Sequence, residues 1–407
     1  NDSETGTNSK MGAFFKFKTD QDEQVYVKIA VSFRSEAHTE SLLNKEIPGW
    51  DFNILKENAR KAWNKELRKI IIDAPDSEKT IFYTNLFHSF VQPRNRTGNN
   101  AWNTEEIFWD DQYTLWDSWK TVYPLMCILD PEMVSGNINS FIARYKHDRY
   151  VAEAFINGVE SAVGQGGNTV DKVIADAYVK GIKGVDWDKA YEILKYNADS
   201  MKTPNYIENG YHYLGEKHIY SNRMYSGSGT LTFSYDDYCA ATVAKGLGKT
   251  DDYKKYLKRS GNWKNIWNAN AESDGFKGFI MGRRSDGTFE EIDPKTGYNK
   301  HFYEGTCWIY SYVIPHDIPA MIDYMGGPET FTKRLVHALD NYYIEFGNEP
   351  LFMTLWWFCH PLINRPDFCA KYLRTQLVPK FTNTSLPGDD DQGAMGSLYV
   401  FARCGLF

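Results

Sequence analysis

Acidic residues set beside glycines are the features of this sequence with the clearest chemical content. Gly388-Asp389-Asp390-Asp391-Gln392-Gly393 puts three adjacent carboxylates just before the apolar run 395–401. Neighbouring carboxylates repel unless a cation or a solvated loop accommodates them. The segment therefore reads either as a site or as a solvated turn whose Asp caps the next helix. Phe346-Gly347-Asn348-Glu349-Pro350 offers hard oxygen donors of the kind calcium accepts. The same letters also spell a helix start, with Asn348 as N-cap and Pro350 in the first turn. In Tyr303-Glu304-Gly305-Thr306-Cys307-Trp308 a carboxyl sits among rings, a setting that favours its protonated form and suits a general acid. A Glu opening a helix also simply complements the dipole. Leu115-Trp116-Asp117-Ser118-Trp119-Lys120 holds an acid between two indoles, which suits gripping sugar hydroxyls beneath a stacked ring. An interior Trp pair with a capping Asp gives the same pattern.

Composition narrows what such residues act on. With 53 acidic against 46 basic residues the formal charge is −7, and no basic cluster can track a phosphate backbone, so nucleic acid is not expected as partner. No stretch approaches the roughly 18 apolar residues of a membrane span, and 42% hydrophobic with 24% charged residues is ordinary globular composition. The 27 Tyr, 24 Phe and 12 Trp exceed what a core readily buries, so some are expected to line clefts where sugar faces stack. Six scattered cysteines (Cys127, Cys239, Cys307, Cys359, Cys369, Cys404) lack zinc-site spacing; disulfides and buried thiols both fit. Asn95-Arg96-Thr97 and Asn383-Thr384-Ser385 are glycosylation tripeptides. The polar first dozen residues do not read as a signal peptide.

The elements that must position these residues follow from periodicity. Between Ala13 and Phe33 the alternation of Phe15 and Phe17, then Val25, Val27, Ile29 and Val31, predicts two antiparallel strands joined at 19–22. Two strands alone are marginal, so they are expected to extend a larger sheet or to pack on the next domain. After Pro48-Gly49 the spacing of Phe52, Leu55, Ala59, Ala62, Trp63, Leu67 and Ile70 predicts one long amphipathic helix. From Glu78 onward, helical stripes fall at 78–91, 113–129, 132–147, 168–181, 187–199, 231–247, 250–260, 308–325, 328–340, 350–363 and 364–377. Long aromatic loops separate some of them, at 94–111, 205–229, 274–305 and 382–393. About a dozen helices without a repeat signature fit an (α/α)₆ toroid with loops gathered at one rim, or a plain helical array.

Taken in order, the motifs resemble the glycoside hydrolase family 92 α-mannosidases. The resemblance starts near Val25 and runs through Pro48-Gly49-Trp50-Asp51-Phe52 and Phe82-Tyr83-Thr84-Asn85-Leu86-Phe87-His88 to Leu115-Trp116-Asp117. It continues in Tyr235-Asp236-Asp237, Gly282-Arg283, Tyr303-Glu304-Gly305, Pro315-His316-Asp317, Gly347-Asn348-Glu349-Pro350 and Gly388-Asp389-Asp390-Asp391. It implies a mainly α protein: an (α/α)₆ catalytic domain at 78–407, preceded by a linker helix at 48–77 and, at 1–47, the last strands of a β-sandwich. It further implies a calcium-dependent, inverting, exo-acting hydrolase of terminal α-mannosides on glycans, secreted to an extracellular or periplasmic space.

By the same resemblance Glu304 is the general acid, and Asp391 with Asp389 activates water. Asn348, Glu349 and Asp391 hold calcium, and Trp116, Asp117, Trp308 and Glu349 contact substrate. Inverting enzymes keep acid and base roughly 6.5–9.5 Å apart. Lys120 stands where the family usually has Arg, and Leu351-Phe352-Met353 where it tends to have His, which implies an altered subsite preference. A missing β-sandwich wall, supplied by more chain or by a second polypeptide, is the partner this reading expects. The alternatives are a catalytically impaired carbohydrate-binding protein and another (α/α)₆ glycosidase.

Overall fold

The computed structural model describes residues 12, 14–161, 165, 168–212, 226–297 and 301–406. The chain divides into two compact units, Asn1–Lys61 and Ala62–Phe407, the division falling within the helix Phe52–Leu67.

In the smaller unit the helix Glu36–Glu46 starts where Ser35 Oγ accepts the His38 amide at 3.1 Å. Lys28 reaches back to the Ile47 carbonyl at 2.9 Å and lies 4.3 Å from the Trp50 ring centroid. Here one expectation is corrected. Residues 14–33 form no paired strand, although a turn does fall at Asp20–Glu23. Phe15, Phe17, Val25, Val27, Ile29 and Val31 are all exposed, so the alternating face has nothing to bury against. Without such burial the ladder of a lone hairpin does not outweigh its ordering cost.

The larger unit is mainly helical, built around one continuous core that runs from Phe82 to Phe401. At its centre lies Ser226–Gly246, a 21-residue helix buried on nearly every side, with Val170–Val179, Trp187–Ser200 and Thr250–Ser260 packed on it. Small and polar residues, Ser226, Gly227, Ser228, Gly229 and Thr230, make up its buried first turns, ahead of the apolar positions from Leu231 on. Its buried acids are paired. Asp236 meets Lys172 at 2.7 Å, and Asp237 meets Arg259 at 2.9 Å, Lys202 at 3.3 Å and the Tyr206 hydroxyl at 2.6 Å. The Tyr235-Asp236-Asp237 motif is thus an internal ion-pair network, in which removing one partner would leave a buried charge alone.

Chain ends meet in this unit. Ala394–Cys404 packs on Asp76–His88, with Gly393 and Gly396 against the carbonyls of His88 and Asn85. Expected helices 308–325 and 350–363 are interrupted. The first breaks into Cys307–Tyr310 and Ile318–Tyr324 around Pro315, which cannot donate to the helical ladder. The second is a pair of 3₁₀ segments, Glu349–Leu351 and Thr354–Cys359. A hairpin, Trp267–Ser273 with Phe276–Ile280, was not signalled by alternation, because its strands are covered unevenly. The six cysteines are separate thiols. No described helix is long and apolar enough to cross a membrane.

Candidate active site

Four short segments converge, and each owes its position to a local device. Asp117 lies on Leu115–Ser118, a single turn that follows an extended Thr114. Thr114 Oγ1 donates to Asp117 and also meets Gln165 Oε1 at 2.9 Å. Glu304 precedes Cys307–Tyr310, whose N-cap is Thr306, accepting the Ile309 amide at 3.1 Å. Glu304 therefore lies outside the helix, and dipole complementarity does not account for it. Asn348 caps Glu349–Leu351, its Oδ1 accepting the Glu349 amide at 3.0 Å, with Pro350 in the first turn. The capping reading of this motif holds, and it leaves the Asn348 amide nitrogen available.

The three aspartates separate into three environments. Asp390 is the structural one: it accepts the amides of Gly393 and Gly396, both at 3.2 Å, and pairs with His88 at 3.0 Å. Asp389 is exposed. Asp391 is half-buried, turned inward by a backbone at φ +43°, with Gln392 at +63° and Gly393 at +82° following. Gln392 fixes this turn by accepting the amides of Tyr113 (3.0 Å) and Thr114 (3.2 Å). Glu304 too is left-handed, at φ +47°. Non-glycine residues persist in this region only where their surroundings over-determine them, and such positions concentrate at functional sites.

Two consecutive residues tie the segments together. Asn348 Nδ2 donates to Glu304 Oε2 at 3.2 Å, while the next residue, Glu349, brings its carboxyl within 4.8 Å of that of Asp391. Asp117, Glu349 and Asp391 bring one oxygen each within 4.8 Å of one another. The approach needs glycine: a Cβ on Gly388 would stand 2.0 Å from the Gly347 carbonyl oxygen. Burial raises the Glu349 carboxyl well above the ordinary carboxylate range, with the charges of Asp117 and Asp391 adding to it. Burial likewise raises Asp117, against the pull of Lys120, and raises Asp391, to which Asp389, Asp390 and Glu304 add. Asp117 Oδ1 and Glu349 Oε1 are buried with no hydrogen-bond partner. Three converging carboxylates, two of them with an unmatched buried oxygen, are a donor set that suits a hard divalent cation. Asn348, by contrast, spends both amide atoms on Glu304 and on its own cap.

The rings expected at the sugar are placed unequally. Trp116 is buried, edge-on to Tyr303 at 5.3 Å, and the Lys120 ammonium lies 4.7 Å from its centroid. Trp308 is fully buried against Phe279 and Tyr343, donates to Ser273 Oγ at 3.1 Å, and reaches the wall of a cavity that Glu304 also lines. Sequence reasoning did not single out Tyr303, whose hydroxyl bonds Glu304, nor Glu153, a buried carboxylate that accepts from Thr169 Oγ1 at 2.6 Å and from the Gln165 amide. Tyr303 adjoins a candidate acid and was within reach of inspection; nothing local marks Glu153. Lys120, noted only as a departure, is buried, donates to the Trp116 carbonyl at 2.6 Å, and faces both Asp117 and Glu349.

The fold belongs to a known class. The glycosyl hydrolase family 92 catalytic domain matches residues 38–407, and the chain is a member of that family. It is 31% identical over 442 residues to an uncharacterized secreted glycosidase of Arthroderma benhamiae, covering 98% of this chain and 53% of that protein. Its structure is similar to that of a family 92 α-mannosidase from Bacteroides thetaiotaomicron, with a TM-score of 0.78 and 28% identity over 90% of this chain and 50% of the other. A structure of the same mannosidase in complex with mannoimidazole superposes with a TM-score of 0.79 at 27% identity, over 90% of this chain and 51% of that one. A family 92 inverting mannosidase of B. thetaiotaomicron VPI-5482 shares the fold, with a TM-score of 0.78 at 22% identity over 91% and 55% of the two chains. The chain spans about half the length of these relatives.

Proposed function

We propose that this chain carries the catalytic centre of an inverting, calcium-dependent, exo-acting α-mannosidase, secreted to an extracellular or periplasmic space, that removes terminal α-mannose from glycans. The observation that supports the reading is that Asn348 hydrogen-bonds Glu304 while the next residue, Glu349, meets Asp117 and Asp391 within 4.8 Å, with Glu304 and Asp391 both left-handed. In this reading the helical domain is an (α/α)₆ toroid with the site at its rim. Residues 48–77 are its linker.

Glu304 gives its proton to the glycosidic oxygen as the bond to the anomeric carbon breaks. Asp391, with Asp389 beside it, takes a proton from the water that attacks the opposite face, so the configuration inverts. Asn348 orients Glu304, and Tyr303 adjoins it. Trp116 and Asp117 close the wall around the mannose. Glu349, Asp391 and Asp117 would hold the calcium, which supplies positive charge to the sugar hydroxyls and to the developing oxocarbenium geometry.

The test is hydrolysis of α-mannosides with the anomer formed first followed by NMR, with and without a chelator, alongside a calorimetric titration with mannose. The account expects β-mannose and loss of turnover on chelation. Mannose binding without any hydrolysis would select the impaired binding protein instead, and glucose release with no action on mannosides another glycosidase.

A further inference from the structure

Two of the scattered thiols meet at a corner of the helical unit. The 3₁₀ segment Thr354–Cys359 follows shortly after Glu349–Leu351, and beyond the link 360–365 the helix Pro366–Tyr372 packs back against it. Backbone bonds fasten the reversal. The amides of Ile363 and Asn364 both donate to the His360 carbonyl at 2.8 Å, and the Arg365 amide donates to the Phe358 carbonyl at 2.8 Å. Rings close it from within: Phe358 meets Phe368 at 5.4 Å and stacks on Tyr372 at 6.1 Å. Cys359 and Cys369 are the residues next in sequence to those two phenylalanines.

Their surroundings divide the chemistry between them. Cys369 is buried, whereas Cys359, at the end of its segment, is exposed. Burial raises the Cys369 thiol to about 12, and the group that adds to the rise is the adjoining Cys359 thiol. The other cysteines have no such neighbour among the described residues. Charged side chains act on Cys127, Cys239 and Cys307, and burial alone raises Cys404. Thiols on two packed segments joined by a short, fastened link are the arrangement that a disulfide closes with little backbone movement. Exposure decides which sulfur reacts first, because an oxidant in solution reaches Cys359 and not Cys369.

We propose that Cys359 and Cys369 form a disulfide that staples the segment running on from Asn348 and Glu349 to the helix Pro366–Tyr372. The oxidant is a low-molecular-weight disulfide of the glutathione type. The Cys359 thiol gives up its proton and its sulfur attacks one sulfur of the oxidant, whose S–S bond breaks; the other half leaves as a thiolate and takes up a proton. The Cys369 sulfur, losing its proton in turn, attacks Cys359 in this mixed disulfide. The Sγ–Sγ bond forms and the second half of the oxidant leaves as a thiol. Two protein thiols are thereby oxidised, one small disulfide is reduced to two thiols, and two protons pass from the first to the second.

The test incubates the folded chain with oxidised and then with reduced glutathione, quenches each sample in acid, and alkylates it under denaturing conditions. Trypsin does not cut before Pro366, so the peptide 335–371 holds both cysteines and no other. After oxidation that peptide is expected unalkylated and lighter by two hydrogens, and reduction should return both thiols. The melting temperature should rise by about 2–5 °C on oxidation, the effect of closing a short loop in a chain of this size. Cys359→Ser and Cys369→Ser, each shown to be folded by circular dichroism, should both lose that rise. Thiols still open to alkylation after oxidation overturn the proposal, as does glutathione left on Cys359 with Cys369 free, or a bond from Cys359 to a second copy of the chain. A bond that forms without the rise overturns its role as a staple.

Discussion

At the scale of residues, the site is a problem of charge. Two buried carboxylates and a half-buried one face one another, and a cation that meets them from the protein is Lys120, itself pulled down by burial and held up by Asp117 and Glu349. Lys120→Met should therefore destabilise the calcium-free protein by roughly 3–5 kcal/mol, the cost of breaking a buried pair. Calcium should recover more of that loss than it adds to wild type; melting curves in chelator and in calcium measure both. Which residues to look at was legible where type and context agreed, as in Glu304 and Asp391, both of which adopt a left-handed backbone. It was opaque where the deciding partner is remote in sequence. Nothing in the letters says that Asp390, and not its neighbours, would be taken by His88 and by two glycine amides, or that Lys120 would turn inward.

Elements of secondary structure place these residues mainly through turns. Gly347 and Gly388 let two loops touch backbone to backbone, and a methyl at 388 would have to push the Gly347 carbonyl away. Gly388→Ala is expected to cost roughly 1–3 kcal/mol of stability, as overpacking does. Its larger effect should be on turnover, about tenfold or more, because it parts Glu349 from Asp391; kcat/KM beside a urea melt separates the two. His316 shows how a motif can belong to the fold. Its ring stacks on Tyr235 at 5.6 Å, Nε2–H donates to the Ser260 carbonyl at 3.0 Å, and Nδ1 is buried without a partner. Burial holds its pKa at about 4, against 6.5 for a free imidazole, with Asp317 opposing and Lys264 reinforcing the shift. The unfolded chain then binds the extra proton first, so the stability this neutral ring preserves is complete above pH 6.5 and is lost as pH falls toward 4. The expected loss is on the order of 1–3 kcal/mol, and His316→Gln should flatten the slope of denaturation midpoints measured between pH 7 and 4. Most helices were legible from their stripes. Those that failed did so for local reasons: Pro315 splits one, and the 3₁₀ run after Glu349 is set by a cap and a proline rather than by periodicity.

For the molecule as a whole, closure is what makes the site. The last helix, Ala394–Cys404, returns to Asp76–His88, and that return carries Asp391 back to residues almost 300 positions earlier, where Gln392 locks onto Tyr113 and Thr114. The order of motifs resembled a known family and so anticipated this convergence, whereas pattern alone favoured a toroid and left a plain helical array open. The expected strands of 14–33 failed at this same scale, since a strand is a property of the sheet it joins and its partners are not among the described residues. Calcium should act on the whole fold too. A ligand at a hundred times its Kd adds about 2.7 kcal/mol, so the melting temperature should rise with calcium concentration and fall in chelator.

The most direct test of the central claim is leaving-group dependence in Glu304→Gln and Asp391→Asn. A mannosyl fluoride departs without protonation, whereas a mannobiose needs it. Glu304→Gln should therefore lose about 10²–10⁴-fold on the disaccharide and far less on the fluoride, while Asp391→Asn loses turnover on both. Full disaccharide activity in Glu304→Gln, or identical losses on the two substrates in both variants, would contradict it.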